Sequence, residues 1–167
     1  MRTRTLIATV VSVLALAASG AHWLPLKLVY NGSASAPAGY YWVDQLPAKP
    51  GDHVLIEPPD AIRKLIEDRL YLPRGVPLIK EIAASNGDTV CRLDRDVLIN
   101  GMTVAHARAT DKKGRPLPNW KGCHLLAENQ IFLLQQHPDS FDSRYFGIVE
   151  RSRILGRATR LSVLSRK

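Results

Sequence analysis

Three segments of the chain carry side chains that could perform acyl transfer together. Ser35 lies two residues before Pro37, Lys80 lies inside the apolar run 78–82, and a polar and aromatic segment covers 140–147. A serine hydroxyl becomes an effective nucleophile when an adjacent base accepts its proton, and a neutral lysine amine can be that base. The three segments together therefore suggest peptide-bond chemistry with a serine nucleophile and a lysine base.

A lysine acts as a base only when it is neutral, so its pKa must fall from about 10.4 toward the working pH. Strand alternation would place Leu78, Lys80 and Ile82 on one face of a strand. On such an apolar face the ammonium either reaches solvent along its aliphatic stem or is desolvated, and desolvation lowers its pKa. The segment alone leaves both alternatives open, and Ser35 alone could be an ordinary loop hydroxyl.

Residues 1–27 are predicted to be a membrane anchor or a signal segment. Arg2 and Arg4 precede a stretch without charged side chains that is long enough for the roughly 20 residues a bilayer crossing needs. The positive-inside bias would keep both arginines in the cytoplasm. Cleavage as a secretory signal is the alternative, because small residues follow at 17–21. Both alternatives place residues 28–167 outside the cytoplasm, as one domain.

Two cysteines, Cys91 and Cys123, lie in the exported part. In an oxidising compartment they could form a disulfide that contributes about 3–4 kcal/mol in the chain-entropy description. Two unpaired cysteines that pack as small apolar side chains are the alternative. His124 beside Cys123 would fit a thiol protease, but a paired cysteine cannot be a nucleophile. The histidines show no metal-ligand spacing, so we expect neither a metal nor a cofactor.

The net charge of +8 is concentrated toward the C-terminal end, in Arg151, Arg153, Arg157, Arg160, Arg166 and Lys167. Nucleic-acid binding would need interleaved aromatic residues or a known binding motif. The sequence has neither, so no nucleic-acid partner is expected. Attraction to anionic lipid headgroups and a solvated surface without a role are the two remaining interpretations.

The pattern along the domain predicts a mainly β fold, with antiparallel strands in packed sheets and one or two short helices. One helix is expected to begin with Asp60 as its cap and to end before Pro73. Its buried face would consist of Ile62, Leu65, Ile66 and Leu70. Asn100-Gly101 predicts a two-residue hairpin turn. Strands are predicted at 40–43, 53–57, 76–83, 89–92, 96–99, 102–105 and 130–135, with one or two more within 147–161.

These segments resemble those of the type I signal peptidases, which use a Ser/Lys dyad, and they are most similar to the conjugative-transfer branch of TraF-type peptidases. The matching segments follow the family's order: 31–40, Lys80 with 87–88, then 140–147 and 156–158. The resemblance spans nearly the whole exported chain. It implies a signal-peptidase-like arrangement of packed antiparallel sheets.

The resemblance also implies a role for each matching side chain. Ser35 would be the nucleophile and Lys80 the general base, while the Ser33 hydroxyl would join the Ser35 N–H in an oxyanion hole. Three more residues would support the site: Ser140 would orient the Lys80 amine, and Asp142 with Arg144 would brace the loop around it.

Three departures from the wider family stand out. Only one residue separates Ser35 from the proline, which is the spacing of the conjugative branch. Leu134-Gln135-Gln136 replaces the usual Gly-Asp-Asn before the last segment. Glu81 follows Lys80 where a basic residue is common, and a nearby acid could raise the lysine pKa, although alternation would point it to the opposite face.

The resemblance implies a membrane-associated serine endopeptidase that processes exported precursors, with pilin-like substrates that carry small residues before the cleaved bond. Cleavage and cyclisation of a pilin subunit both remain open. The alternatives are general signal-peptide processing, a repressor-type autoprotease, and a non-catalytic membrane-anchored component of a transfer apparatus. The expected location is the inner membrane, with a single span and a periplasmic domain, or the soluble periplasm after cleavage. The sequence leaves the oligomeric state open.

Overall fold

The computed structural model describes residues 10–11, 27–33 and 35–161. The predicted anchor, residues 1–27, lies almost entirely outside this part. Among the described residues, no helix has the length and apolar character that a bilayer crossing requires.

The described chain is mainly β, as predicted. Its strands in chain order are β1 (Leu28–Asn31), β2 (Gly39–Asp44), β3 (His53–Ile56), β4 (Leu78–Ala84), β5 (Thr89–Leu93), β6 (Asp96–Ile99), β7 (Met102–His106), β8 (Gly122–Leu125), β9 (Gln130–Leu134), β10 (Val149–Glu150) and β11 (Ile154–Arg160). The helices are α1 (Asp60–Asp68), α2 (Ser143–Phe146) and a 3-10 turn at Arg151–Arg153.

The strands form two antiparallel sheets. The larger sheet has the order β1-β2-β11-β3-β4-β9-β10, and the smaller has the order β7-β6-β5-β8. Val90 and Val97 of the smaller sheet pack against Phe132 and Leu134 of the larger one. Burial of side chains of this size stabilises the fold by about 1.5–3 kcal/mol each. Most side chains on the central strands β3, β4 and β9 are buried, Lys80 among them.

Most predicted strands are confirmed, including two within 147–161. The hairpin turn is also confirmed, because Asn100 and Gly101 both have positive φ, at 51° and 82°, as the favoured two-residue turn requires. β1 was not predicted because it directly follows the apolar N-terminal segment and shares its character. β8 was not predicted because all four of its residues are exposed, which leaves no alternation to detect.

Two details of the predicted helix are wrong. Asp60 is the first helical residue rather than the cap, since the cap position is Pro59 and has no side-chain hydrogen bond. The helix ends before Pro73 as predicted, but it already ends at Asp68, so Leu70 is wrongly placed on its buried face. Leu70 therefore leaves the apolar face that Ile62 and Ile66 form; it adopts positive φ and is 84% exposed.

The structure joins Cys91 to Cys123 in a disulfide, so the alternative of unpaired cysteines is wrong. The two residues face each other across β5 and β8. His124, the next residue on β8, is exposed and contacts the Lys121 carbonyl oxygen. The disulfide therefore ties the edge strand β8 to its neighbour β5.

β11 passes close to β2 at Gly156. A Cβ atom there would lie 2.6 Å from Val43 Cγ1 and 2.7 Å from the Asp44 carbonyl oxygen, so the strands would have to separate. We expect Gly156→Ala to destabilise the protein by about 1–3 kcal/mol, measured as a lower urea midpoint. Gly32→Ala is the matched control, because its Cβ would meet only the Tyr30 ring edge at 3.4 Å. Equal losses from both substitutions would contradict the prediction.

Candidate active site

Ser33 and Ser35 lie in the connection between β1 and β2, which we call the serine loop (residues 32–38). Its ends are held together because Asn31 pairs with Gly39 in the strand register. Tyr41 is fully buried on β2 and donates from its hydroxyl to the Pro37 carbonyl oxygen at 2.8 Å. A short connection fixed at both ends places the two serines at the edge of the larger sheet.

Asn31 organises the inside of this loop. Its Nδ2 donates to the carbonyl oxygens of Ala36 at 2.8 Å and Ser33 at 3.1 Å. Its Oδ1 accepts from the Ser33 backbone N–H at 3.1 Å and from the Ser33 hydroxyl at 2.7 Å. The Ser33 and Ser35 hydroxyl oxygens are 2.9 Å apart. The sequence placed Asn31 in the matching segment but gave no sign of this role, since an asparagine before a glycine usually indicates only a turn.

Lys80 lies on β4 and is 2% exposed. Its Nζ donates to the Ser140 hydroxyl oxygen at 2.8 Å. Burial lowers the pKa of Lys80 to about 8; Asp142 opposes this shift and Arg144 adds to it. The structure therefore shows a desolvated lysine rather than one whose ammonium reaches solvent along its aliphatic stem. A free amine is then accessible near neutral pH, as a general base needs.

Glu81 has no part in this shift. It is half-buried on β4 and pairs in register with His53 of β3, whereas Lys80 pairs with Val54. It is not among the groups that act on the pKa of Lys80. Strand alternation therefore separates the two charges, as the sequence predicted.

Asp142 and Arg144 form a buried ion pair behind Ser140. Arg144 Nε lies 2.7 Å from Asp142 Oδ1, and its NH2 lies 3.0 Å from Oδ2. The same guanidinium donates to the Gln135 carbonyl oxygen at 2.6 Å, while the Gln135 N–H donates to Asp142 at 3.0 Å. Asp142 also caps α2 by accepting from the Arg144 N–H. These contacts attach the segment around Ser140 to the end of β9.

Arg92 is a buried cation that the sequence did not single out. It lies on β5, is 5% exposed, and donates from NH1 to the Arg144 carbonyl oxygen at 2.7 Å. The available signal was that Arg92 follows Val90 by two residues on β5, so strand alternation places both side chains on the same face. Through this contact the smaller sheet supports the segment that holds Ser140.

The serine loop and Lys80 open into one cavity of about 760 Å³. Its wall includes Ser33, Ser35, Lys80, Ile79, Phe141 and Tyr145. Within the described residues, no hydrogen bond joins Lys80 Nζ to Ser35 Oγ: the amine is bonded to Ser140, and the Ser35 hydroxyl is bonded to Ser33. No three His, Cys, Asp or Glu side chains of the described chain gather as metal ligands would.

The predicted site residues are therefore brought together in space. Ser33, Ser35 and Lys80 share the cavity, and Ser140 contacts the lysine amine. Asp142 and Arg144 lie directly behind them. Hydroxyls beside a desolvated amine, in a largely apolar cavity, form an arrangement suited to acyl transfer.

Comparison with known proteins agrees with this arrangement. The family described as signal peptidase, peptidase S26, matches residues 2–162. The chain belongs to this family.

The relatives narrow the class further, to the TraF-type branch. The chain is 33% identical to the plasmid transfer protein TraF of Escherichia coli over 152 residues, which cover 84% of this chain and 85% of that protein. It is 36% identical to the conjugal transfer protein TraF of Agrobacterium tumefaciens (strain 15955) over 140 residues, which cover 77% and 78% of the two chains. A solved signal peptidase I from Enterococcus faecalis V583 is 21% identical, with a TM-score of 0.38, and aligns over 71% of this chain and 100% of that chain.

Proposed function

We propose that this protein is a membrane-associated serine endopeptidase that matures exported precursor proteins during conjugative transfer. The observation that carries the proposal is the desolvated Lys80 amine, which shares a cavity with Ser35 and is held by Ser140. In this proposal Ser35 is the nucleophile and Lys80 is the general base.

The proposed reaction is acyl transfer through a covalent intermediate. Lys80 accepts the Ser35 proton as Oγ attacks the substrate carbonyl carbon, and it then returns that proton to the leaving amine. Breakage of the peptide bond leaves an ester on Ser35. Water, or a substrate amine, then attacks the ester and restores the Ser35 hydroxyl. Water gives cleavage, whereas an amine of the same chain gives a cyclic product.

The oxyanion of the tetrahedral intermediate needs donors beside Ser35. The Ser35 backbone N–H and the Ser33 hydroxyl are the groups proposed for this role. Removal of one such donor typically lowers kcat by about 10²–10³-fold. Asp142 and Arg144 contribute indirectly, because they hold the segment that carries Ser140.

The pKa of Lys80 predicts the pH dependence of cleavage. Because burial lowers this pKa to about 8, the neutral amine is a minor species at pH 6 and the major species at pH 9. We expect kcat/KM to rise about tenfold per pH unit below pH 8 and to level off above it. Initial rates on a precursor peptide between pH 6 and pH 9.5 measure this. A flat profile below pH 8 would contradict the role of Lys80 as base.

The proposed substrates are precursors of transfer pilin subunits with small residues before the scissile bond. Two relatives are named as plasmid or conjugal transfer proteins, which supports a role in conjugation. Maturation of ordinary secretory precursors is a different outcome of the same chemistry, so the substrate must be tested directly.

The lipid bilayer is the second proposed partner, and the outer face of β1 and β2 supports it. Leu28, Tyr30, Tyr40 and Trp42 are 44–62% exposed. Their strand register pairs Leu28 with Trp42 and Tyr30 with Tyr40, so all four lie on one face. Tyrosine and tryptophan are enriched at membrane–water interfaces. We propose that residues 1–27 remain as an anchor, and that this face holds the serine loop of the periplasmic domain at the membrane surface.

The test is a membrane assay with a candidate pilin precursor. Wild type, Ser35→Ala and Lys80→Ala are compared, with Lys64→Ala as an exposed lysine control. We expect processing by the wild type and the control only. Mass spectrometry separates the products, since a cyclic pilin is one water lighter than the linear one. Full processing by either dyad variant would reject the assignment, and processing of secretory precursors alone would redirect it to general signal-peptide removal.

A further inference from the structure

The orientation of the Asn31 amide is fixed by the backbone around it. Its Nδ2 faces the carbonyl oxygens of Ser33 and Ala36, which are acceptors only. Its Oδ1 faces the Ser33 N–H, which is a donor only. A flipped amide would place oxygen against oxygen and N–H against N–H. The oxygen toward Ser33 is therefore set by the loop itself.

This orientation fixes the direction of two further protons. Because Asn31 Oδ1 can only accept, the Ser33 hydroxyl must donate its single proton to it at 2.7 Å. Ser33 then has no proton left for Ser35, so the 2.9 Å contact between them is a bond from the Ser35 hydroxyl to Ser33. Both hydroxyls therefore donate in the same direction, Ser35 to Ser33 and Ser33 to Asn31. We call these two hydrogen bonds the hydroxyl chain.

This direction is opposite to the one catalysis needs. Ser35 has to present its proton to Lys80, and Ser33 has to present its proton to the oxyanion. In the structure Lys80 Nζ is bonded to Ser140 instead. We infer that Asn31 is a positioning residue that holds the site in a resting state. Substrate binding then redirects both hydroxyls of the chain, Ser35 to Lys80 and Ser33 to the oxyanion. This inference rests on the proposed function of Ser35 and Lys80.

The reversal follows from the stronger acceptor that the substrate supplies. A developing oxyanion attracts the Ser33 proton more strongly than a neutral amide oxygen does. Ser33 then no longer donates to Asn31, and the Ser35 hydroxyl can turn from the Ser33 oxygen to the neutral Lys80 amine, which is the stronger acceptor. The nucleophile is thus activated when a carbonyl is in place, while in the empty site its proton stays directed away from the base.

Removal of Asn31 should shift the pKa of Lys80 in the free protein. In Asn31→Ala the Ser33 proton is released, so Ser33 can donate to Ser35 and Ser35 can donate to the neutral amine. A hydrogen bond to the neutral form lowers the pKa of a lysine. We expect a decrease of about 0.5–1 pH unit, the size of one ordinary hydrogen bond.

The other groups that could act on the pKa of Lys80 lie outside residues 31–38 and are not replaced in this variant. Asp142 and Arg144 act on its pKa from the segment behind it. β3 presents Val54 beside it and His53 beside Glu81. The cavity wall contributes Asp139, His137 and Tyr145. A shift shared by Asn31→Ala and Ser33→Ala therefore reports on the hydroxyl chain.

The experiment follows the titration of Lys80 by NMR in protein labelled at lysine 13Cε, without substrate. Ser33→Ala is the second variant, because it breaks the chain while leaving the Asn31 bond to Ala36 in place. Tyr41→Phe is the control, since it removes a bond to the same loop at Pro37 outside the chain. We expect the downward shift in both chain variants and none in Tyr41→Phe. No shift in Ser33→Ala, or an equal shift in Tyr41→Phe, would overturn the inference.

A kinetic measurement gives a second, separate readout. The pH profile of kcat/KM reports the free enzyme and that of kcat reports the substrate complex. In Asn31→Ala the acid limb of kcat/KM should move to lower pH by the same 0.5–1 unit, while the limb of kcat stays in place. Equal movement of both limbs would reject a resting-state role. The NMR titration requires no cleavage, so it stands even if the proposed function fails.

Discussion

Replacing Lys80 with methionine is expected to abolish cleavage, with kcat lower by about 10⁴–10⁶-fold, as for the loss of other essential bases in serine hydrolases. Methionine matches the length of the lysine stem and fits the buried site, but it cannot accept the Ser35 proton. Single-turnover cleavage of a precursor peptide measures the loss. A variant that keeps more than about a hundredth of the wild-type kcat would remove Lys80 from the mechanism.

The same substitution is expected to make the protein more stable. Burial lowers the pKa of Lys80 from 10.5 to about 8, which corresponds to about 3 kcal/mol of lost stability while the amine is charged. Part of this gain is offset by the lost bond to Ser140, so we expect a rise of about 5 °C in Tm at pH 7. Lys64→Met is the matched control, because this lysine side chain is 76% exposed. It should change neither cleavage nor Tm.

The pH dependence of this stability difference has a definite sign. Below pH 8 both the folded and the unfolded chain hold the proton, and the full penalty applies. Between about pH 8 and pH 10.5 the folded state releases the proton first, so wild-type stability rises with pH relative to the variant. Thermal unfolding at pH 7 and pH 10 tests this, and a difference that grows with pH would contradict it.

Asp142→Asn is expected to have the largest effect on stability. It leaves the Arg144 guanidinium, which is 2% exposed, without a counter-charge. Breaking a buried ion pair in this way costs about 3–5 kcal/mol, or about 10–20 °C in Tm for a domain of this size. The amide also cannot accept both the Gln135 N–H and the Arg144 fork. Differential scanning calorimetry measures the loss.

The exposed pair of Lys64 and Asp68 provides the control for this prediction. Its side chains are 76% and 60% exposed, at a similar distance of 2.9 Å. Exposed pairs contribute little, because water solvates each charge once the partner is removed. Asp68→Asn should leave Tm within experimental error. Similar losses in the two variants would show that burial does not strengthen the pair behind Ser140.

Several parts of this site could be predicted because they depend on residue type and order. A serine before a proline, a lysine in an apolar strand and the Ser140-to-Gly147 segment identified the groups that meet in the cavity. Strand alternation correctly separated Glu81 from Lys80. What remained open was whether the lysine is desolvated, since that depends on which strands cover β4.

The parts that could not be predicted depend on contacts between distant segments or on local backbone choices. Asn31 acts through the shape of a seven-residue loop, and Arg92 acts through a carbonyl oxygen 52 positions away. Leu70 fits the helical period, yet the helix ends before it because Leu70 takes positive φ. In each case the residue type is compatible with several conformations, and tertiary packing selects one.

The position of the disulfide has a consequence for where the protein can work. Cys91 directly precedes Arg92, whose guanidinium holds the Arg144 carbonyl oxygen. In a reducing compartment only the backbone pairing would hold β8 to β5, and we expect the support that Arg92 gives to the Ser140 segment to weaken. Disulfides persist in oxidising compartments. If the protein has the proposed activity, its site is therefore fully supported only where this disulfide can form.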